Sequence, residues 1–213
     1  MTNRLLPPLL AWERDYRRRG TVWRGTTNFA PLSLKGRVLE LGCGNGKTAS
    51  ALSLRESIEL HAVDSSPTAV KLCRELVDRI DGKAVVREAN GLKLGYANGF
   101  FDAVVCFHYL GHLPVAERLK AVEEACRVLK RGGKLFFKEF GTKDFRFGKG
   151  KQVEENTFVR GNGILTHYFS QQEIRGMFPA LEPESIEPEE WKVLLRGKEY
   201  RREEINAVFR KNL

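Results

Sequence analysis

The amino-acid sequence predicts an α/β fold in which helices cover both faces of a mostly parallel sheet. Between residues 37 and 140, short apolar runs alternate with segments of helical periodicity, the pattern of strands joined by crossover helices. The first run, 38–41, leads directly into three glycines at alternate positions, and the second, 58–63, ends in an acid. These features predict a ligand site at the carboxyl ends of adjacent strands.

The first strand and helix form the predicted ligand turn. Gly42, Gly44 and Gly46 remove every Cβ from the turn before the helix at 47–54, so backbone atoms can approach a ligand closely. The first N–H groups of that helix and its dipole favour a polar or anionic ligand. Asp64 ends the neighbouring strand, where a carboxylate can hold the hydroxyls of a ribose.

The middle of the chain continues the alternation. Ser66-Pro67 supplies an N-cap and a proline at the first helical position, and Asp81-Gly82 ends this helix. A helix at 114–129 ends in a basic, glycine-containing segment. Strands are predicted at 84–88, 103–107 and 134–140.

The C-terminal part departs from this pattern. Residues 143–162 predict a long loop rich in Lys, Arg and Gly, and loops of this length often carry substrate contacts. Ser170 and Glu173 form a capping box that begins another helix. An acidic, proline-containing connection at 182–190 leads into a closing pair of strands, predicted at 191–195 and 205–209.

Composition bounds the class of protein. The 213 residues, 42% of them hydrophobic, suit one α/β domain, and no apolar stretch approaches the roughly 20 residues of a membrane span. The first ten residues lack a signal-peptide pattern, so we expect a cytoplasmic protein. The four cysteines form no Cys-x-x-Cys pair, so we expect reduced thiols, no disulfide framework and no metal.

Positive charge is concentrated at the N-terminus. The net charge is +9, and residues 1–37 contain eight Arg or Lys but only two acids. A clustered basic segment is typical of surfaces that bind RNA or another anionic partner. A solvated basic helix face would have the same composition.

Three nucleotide-type interpretations compete for the glycine turn. The dinucleotide fingerprint requires a third glycine where this chain has Lys47. A P-loop requires a glycine where this chain has Leu41, inside the apolar strand. Glu40-x-Gly42-x-Gly44-x-Gly46 followed by Asp64 resembles motif I and the next acid of class I S-adenosylmethionine-dependent methyltransferases. A purely structural glycine turn is the remaining alternative.

The resemblance covers residues 37–140. The segment 127–135, Arg-Val-Leu-Lys-Arg-Gly-Gly-Lys-Leu, is similar to the one before that family's fifth strand, with Arg131 in place of a proline. The resemblance implies a Rossmann-like, seven-stranded, mostly parallel sheet with an antiparallel last strand, in a three-layer α/β/α sandwich. It also implies S-adenosyl-L-methionine as methyl donor, S-adenosyl-L-homocysteine as product, and no metal.

The resemblance assigns the cofactor contacts. The glycines pass beside the methionine part, and Glu40 orients that loop or reaches the amino group through water. Asp64 holds the ribose, and Asn90 contacts the adenine amino group. The residues implied are Glu40, Gly42, Cys43, Gly44, Gly46, Asp64, Ser65, Asn90, Gly91, Cys106 and Phe107.

The flanks are expected to serve the acceptor. Trp12, Tyr16 and Trp23 resemble the aromatics of a lid that closes over the sulfonium in some small methyltransferases; for the tryptophans, packing of the N-terminal helix is the alternative. We divide the chain into an N-terminal helix and lid extension, 1–36, and one methyltransferase domain, 37–213, with a substrate-side insertion around 141–170. Within the insertion, Arg146 and Lys149 are candidate substrate contacts.

We therefore expect S-adenosylmethionine-dependent methyl transfer to a nucleophilic N, O or S acceptor, with RNA, tRNA in particular, as the first choice. Tyr-Phe-Ser at 168–170 and Asn-Ala-Val-Phe-Arg-Lys at 206–211 resemble methyltransferases that modify tRNA bases. A thiol or amine metabolite, or a protein lysine, is the alternative acceptor. A non-catalytic subunit of this fold that binds cofactor or a partner is the alternative from a different class.

His108 and Tyr109 are the candidate catalytic residues, because they are titratable groups at the mouth of the fourth strand. His108 could accept a proton from a hydroxyl or amine acceptor. The sequence leaves open whether the chain acts alone, as a homodimer or with a small protein partner.

Overall fold

The computed structural model describes residues 7–21 and 34–212. The strands are β1 (Gly36–Leu41), β2 (Ile58–Asp64), β3 (Ala84–Glu88), β4 (Phe101–Phe107), β5 (Leu129–Phe140), β6 (Lys151–Glu154), β7 (Thr157–Val159), β8 (Leu165–His167), β9 (Leu181–Leu195) and β10 (Lys198–Lys211). The α-helices in the described residues are α1 (Pro8–Arg19), α2 (Lys47–Leu52), α3 (Pro67–Arg79), α4 (Val115–Val128) and α5 (Gln171–Met177).

The main sheet has seven strands in the order β3-β2-β1-β4-β5-β10-β9. Strands β1 to β5 run parallel to one another, and β10 is antiparallel to both β5 and β9. This arrangement confirms the predicted fold class. Because β1 lies between β2 and β4, the order reverses at β1, and the carboxyl ends of these strands form a crevice.

Helices cover both faces of the sheet because its strands alternate two sets of buried side chains. Val38, Leu60 and Val105 belong to a cluster with residues of α2 and α3. Leu39 and Val104 belong to the opposite cluster, with residues of α4 and α5. Parallel strands buried on both faces read as continuous apolar runs, which is why the sequence located them.

Strands β5, β9 and β10 are much longer than predicted, and β10 spans Lys198–Lys211 against a prediction of 205–209. β5 begins at Leu129, which pairs with Phe101 before a register shift, so the basic, glycine-containing segment at 130–133, predicted to end the preceding helix, lies inside a strand. β9 includes the whole segment 182–190, predicted as a connection. It is an edge strand that pairs with β10 alone, and an edge strand tolerates prolines and acidic side chains because one side needs no ladder bonds.

The predicted loop at 143–162 also contains regular structure. Its strands β6 and β7 join β8 in a three-stranded antiparallel sheet, packed through Phe158 and Tyr168 against Phe140 at the end of β5. The N-cap of the predicted capping box is confirmed, because Ser170 Oγ accepts a bond from the Glu173 N–H at 3.1 Å, while the Glu173 carboxylate contacts His167 instead. Among the described residues, no helix is long and apolar enough to cross a membrane.

Candidate active site

A cavity of about 850 Å³ lies at the carboxyl ends of the parallel strands. Its floor is formed by residues at the ends of β1, β2, β4 and β5, and β10 contributes one wall. Helix α1 and the turn before β8 also line it, and Arg14 of α1 donates to the Asn162 carbonyl of that turn at 2.6 Å. The cavity therefore extends over the strand order β2-β1-β4-β5-β10, from the glycine turn to the last antiparallel strand.

The glycine turn has the backbone conformation that its residues predict. Gly42, Gly44 and Gly46 have φ values of 71°, 53° and 90°, in the left-handed region that favours glycine. A Cβ added at Gly42 would lie 2.8 Å from the Tyr109 ring. Gly46 is the N-cap of α2, so the turn leads directly into the helix.

Asp64 fixes the turn to the neighbouring strand. Its Oδ2 accepts a hydrogen bond from the Gly44 N–H and its Oδ1 one from the Ser66 N–H, both at 2.9 Å. Burial raises the pKa of this carboxyl, although those backbone bonds oppose the shift. Each carboxylate oxygen has a second acceptor position, which suits the predicted contact with ribose hydroxyls.

Glu40 is a buried acid whose surroundings leave one oxygen unsatisfied. It is 3% exposed and lines the cavity, and no donor among residues 7–21 and 34–212 reaches its Oε2. Burial raises the pKa of Glu40 well above its usual value. A buried acceptor of this kind calls for a donor, and an ammonium group would satisfy it. The site therefore fits the amino group of S-adenosylmethionine.

Glu13 holds helix α1 to the start of α3, beside the glycine-turn end of the cavity, and this contact is the clasp of α1. Glu13 accepts hydrogen bonds from Ser66 Oγ at 2.6 Å, Thr68 Oγ1 at 2.7 Å and the Thr68 N–H at 3.2 Å. Burial opposes ionisation, but these bonds outweigh it and lower the pKa of Glu13 to about 2. Trp12 and Tyr16 of α1 line the cavity.

The opposite end of the cavity contains a histidine between two acids. His108 has a φ of 51°, which turns its ring out of the strand direction, and its ring lies 4.5 Å from that of Phe140. Its Nε2 is 3.3 Å from Glu204 Oε1, and its Nδ1 is 3.8 Å from Glu139 Oε2. These residues come from the ends of β4, β5 and β10.

The two acids have opposite pKa shifts. Glu139 is 1% exposed, and burial raises its pKa to about 7; its Oε1 accepts a bond from the Gly111 N–H at 2.9 Å. Burial would also raise the pKa of Glu204, but its hydrogen bond to His108 and the charge of that ring lower it instead. The surroundings therefore favour ionisation of Glu204 and disfavour ionisation of Glu139.

Arginines and aromatic rings surround this end. Asp144 accepts bonds from Arg146 Nε at 2.8 Å and Arg202 Nε at 2.6 Å, and these two arginines outweigh burial and lower its pKa. Both guanidinium groups lie over the Phe140 ring, at 3.9 and 5.1 Å from its centroid. Phe140, Arg146 and Arg202 line the cavity together with Tyr168 and Trp191.

Most of the predicted site residues meet in this cavity. Those that line it are Trp12, Tyr16, Glu40, Gly42, Cys43, Gly44, Asp64, Ser65, Phe107, His108, Tyr109 and Arg146. Those that do not line it are Gly46, Asn90, Gly91, Cys106 and Lys149. Trp23 lies outside the described residues.

Each predicted residue outside the cavity has another contact. Asn90 Oδ1 accepts a bond from the Leu92 N–H at 2.9 Å, and a side chain at Gly91 would collide with the Tyr109 hydroxyl. Cys106 is fully buried in the core. The Lys149 ammonium lies over the Phe145 ring, 4.6 Å from its centroid. The contacts predicted for these residues with cofactor or substrate stay predictions.

Sequence reasoning missed several residues that line the cavity and three that contact or support them. Lys138 occupies a strand position that an alternating pattern would mark only as polar. Other missed lining residues come from elements far along the chain, whose proximity no spacing reveals; they include Arg160, Tyr168, Trp191, Arg202 and Glu204. Behind the lining, Glu13 holds α1, Glu139 lies beside His108, and Asp144 binds Arg146 and Arg202.

Comparison with known proteins supports the interpretation of the glycine-turn end. Residues 39–137 match the family model described as a methyltransferase domain. A solved S-adenosylmethionine-dependent methyltransferase from Methanosarcina mazei is 22% identical, with a TM-score of 0.70, and the alignment covers 88% of this chain and 100% of that one. TehB from Haemophilus influenzae has a TM-score of 0.66 at 12% identity, covering 95% of this chain and 67% of that one.

Relatives in sequence carry more specific names. The Drosophila melanogaster tRNA N(3)-methylcytidine methyltransferase Mettl2 is 27% identical over 180 residues, covering 77% of this chain and 55% of that protein. The Saccharomyces cerevisiae tRNA(Thr) (cytosine(32)-N(3))-methyltransferase is 31% identical, covering 66% of this chain and 24% of that protein. The chain thus spans between about a quarter and about half of the length of these relatives.

The matched domain includes the glycine turn, Asp64 and the end of β4, and the sheet order agrees with the fold of the solved methyltransferases. Residues 39–137 therefore form a methyltransferase domain, and the chain has the fold of the class I S-adenosylmethionine-dependent methyltransferases.

Proposed function

We propose that this protein transfers a methyl group from S-adenosylmethionine to N3 of a cytidine in tRNA. The observation that carries the proposal is one continuous cavity with two chemically different ends. Glu40 and Asp64 lie at the end that suits the cofactor, and Phe140, Trp191 and Glu204 at an aromatic, charged end that suits a base. Relatives named as tRNA N(3)-cytidine methyltransferases support the choice of acceptor.

Methyl transfer to N3 requires little proton transfer by the protein. S-adenosylmethionine supplies the methyl group on an activated sulfonium, and N3 of cytosine is a neutral nitrogen with a free lone pair. Catalysis then rests on alignment, which can remove on the order of 7–11 kcal/mol of barrier. With this acceptor, His108 has no proton to remove, and we assign it the role of orienting Glu204.

Tyr109 acts as a packing residue in this proposal. Burial raises its pKa well above the usual value for a phenol, so the hydroxyl stays protonated. The ring lies against Gly42 and Gly91, which supports the backbone of the glycine turn. This role replaces the predicted catalytic one, because a neutral phenol is a weak base.

Helix α1 completes the site by covering the reacting centre. Trp12 and Tyr16 line the cavity at the cofactor end, where ring faces attract a sulfonium. Excluding water there strengthens each electrostatic contact inside the cavity. Arg17 and Arg18, on the same helix, have side chains that are 72% and 69% exposed, and they are available to RNA phosphates outside the cavity.

A methylation assay on defined tRNA tests the proposal. The full chain is incubated with S-adenosylmethionine and a tRNA(Thr) transcript carrying cytidine at position 32, and the nucleosides are analysed by mass spectrometry. We expect N3-methylcytidine from this transcript and none when the target is uridine. RNA affinity should fall steeply with salt, because phosphate contacts release counterions.

Variants of Asp64 separate cofactor binding from RNA binding. Asp64→Ala should weaken cofactor affinity by tenfold or more, since it removes an acceptor for ribose and the anchor of Gly44. Asp78→Ala, on an exposed position of α3, is the matched control and should bind normally. Cofactor binding without N3-methylcytidine would refute the proposed acceptor, and absence of cofactor binding would refute the enzymatic proposal.

A further inference from the structure

We infer that Glu204 recognises the exocyclic amino group of the target base and so makes the site specific for cytosine. This inference rests on the proposed function and names the residue that reads the acceptor. Glu204 lies on β10, in register with Phe140 at the end of β5. Its side chain is 14% exposed and lines the cavity.

The strand order sets its distance from the cofactor end. β10 is three strands away from β1, and neighbouring strands lie about 4.8 Å apart. The backbones of β1, with Glu40, and β10, with Glu204, are therefore about 14 Å apart across the sheet. The end of β4, with His108, lies between them. A base placed against Glu204 would therefore have its ring over β4 and β5, beside the methionine end of the cofactor.

Glu204 has a basic side chain near each of its oxygens. His108 Nε2 is 3.3 Å from Oε1, and Lys138 Nζ is 3.8 Å from Oε2. The Lys138 ammonium also lies 3.6 Å from Glu189, so it is shared between two acids. The histidine contact fixes the carboxylate plane, and Oε2 keeps acceptor capacity towards the cavity. Lys138 lines the cavity too, which places a donor beside that acceptor.

The Glu204 acceptor complements the amino end of the pairing edge of cytosine. On that edge the N4 amino group donates, O2 accepts, and N3 lies between them with its lone pair. Glu204 would accept from N4 at one end of this edge, and this contact does not use the N3 lone pair. Uracil presents O4 where cytosine presents its amino group, so an ionised Glu204 would repel it. Discrimination by a mismatched polar contact is stronger than discrimination by shape.

Glu204 also stabilises the positive charge that forms on the base during the reaction. The N3 lone pair makes the new N–CH3 bond while the electron pair of the breaking C–S bond goes to sulfur, so the positive charge moves from the sulfonium to the base. That charge is shared with the exocyclic nitrogen. A fixed carboxylate at N4 therefore interacts more strongly with the transition state than with the neutral base.

The inference is tested by a double-mutant cycle in which one change removes the Glu204 carboxylate and the other removes the amino group of the target base. Wild type and Glu204→Met are compared on two tRNA(Thr) transcripts, one with cytidine at position 32 and one with pyrimidin-2-one ribonucleoside, which lacks only the amino group. Wild type should prefer cytidine in kcat/KM by roughly 10–100-fold beyond the intrinsic reactivity difference, the range expected for a hydrogen bond to a charged group. In Glu204→Met this extra preference should fall to within about threefold, with unchanged cofactor affinity.

Two further variants serve as controls. Glu189→Gln removes the other acid near Lys138, an acid whose side chain is 59% exposed, and should retain the wild-type preference. Glu204→Gln keeps one carbonyl acceptor and should fall between wild type and Glu204→Met. Wild-type preference in Glu204→Met would overturn the assignment while leaving the proposed function intact. Absence of N3-methylcytidine in wild type would instead overturn the proposed function, and the assignment with it.

Discussion

Replacing Glu13 by alanine tests whether the clasp of α1 controls cofactor binding. Glu13 is the acceptor for three donors at the start of α3, at 2.6, 2.7 and 3.2 Å. Each bond contributes about 1 kcal/mol net, and rehydration of the two hydroxyls offsets part of the sum, so we expect a loss of about 2 kcal/mol of docking free energy. If α1 must be docked for tight binding, the affinity falls by up to about 30-fold.

The assay is calorimetric titration with S-adenosylmethionine or its product at pH 7, combined with hydrogen exchange of the α1 amides. The pKa of Glu13 is lowered to about 2, so its stabilising contribution is complete above the usual value near 4.5 and is lost as pH falls towards 2. The titration at neutral pH therefore measures the full effect. Exchange in α1 should rise in Glu13→Ala together with Kd.

Arg17→Gln is the matched control for this prediction. Arg17 pairs with Glu13 at 2.5 Å from the same helix, but its side chain is 72% exposed. A surface pair of this kind contributes a few tenths of a kcal/mol, so Kd should change less than about twofold. The reasoning is refuted if Glu13→Ala keeps both the wild-type Kd and the wild-type protection of α1, because the clasp would then be irrelevant to the cavity.

Two further predictions concern the glycine turn and the buried acid at the other end of the cavity. Gly42→Ala should lower stability by about 2–3 kcal/mol and weaken cofactor binding, since its φ is 71° and its Cβ would meet the Tyr109 ring at 2.8 Å. Gly95→Ala, with a φ of 70° and nothing within 4 Å, shares only the strain and should cost about 1 kcal/mol in thermal or urea unfolding; equal losses would contradict the steric argument. Glu139 has its pKa raised to about 7 by burial, so its contribution to stability is full in acid and is lost as pH rises from about 4.5 through 7. Glu139→Gln keeps an acceptor for Gly111 but does not ionise. The free energy of unfolding of this variant relative to wild type, measured with urea, should therefore rise by about 2–3 kcal/mol between pH 5 and pH 8.5. A difference that does not change with pH would contradict the raised pKa of Glu139.

The cofactor end was predictable because its signals are local. Gly42 to Gly46 occupy five consecutive positions, and a strand, a turn and a helix follow from their conformational freedom and from the flanking apolar residues. Asp64 ends the next strand, which pairs directly with β1. A short stretch of chain thus specifies both partners of the contact between Asp64 and Gly44.

The acceptor end depends on residues that are distant in sequence. His108 was predicted as a candidate, but its neighbours Glu139 and Glu204 lie 31 and 96 residues further along the chain. Glu204 reaches the cavity because β10 inserts antiparallel between β5 and β9. The register of that insertion decides whether Glu203 or Glu204 faces the cavity, since neighbouring strand residues point to opposite sides.

The sequence by itself determined the fold class and the glycine turn, because periodicity and a few adjacent residues specify both, and its motifs carry the resemblance that implies the methyl donor. Only the tertiary structure decided which side chains surround His108, the clasp of Glu13 on α3 and the pKa of Glu139. The physical reason is that burial and charge depend on the neighbours of a group, and those neighbours come from segments far apart in the chain. Local residues thus specify the glycine turn, and the packing of β5, β10 and the small sheet specifies the opposite end of the cavity.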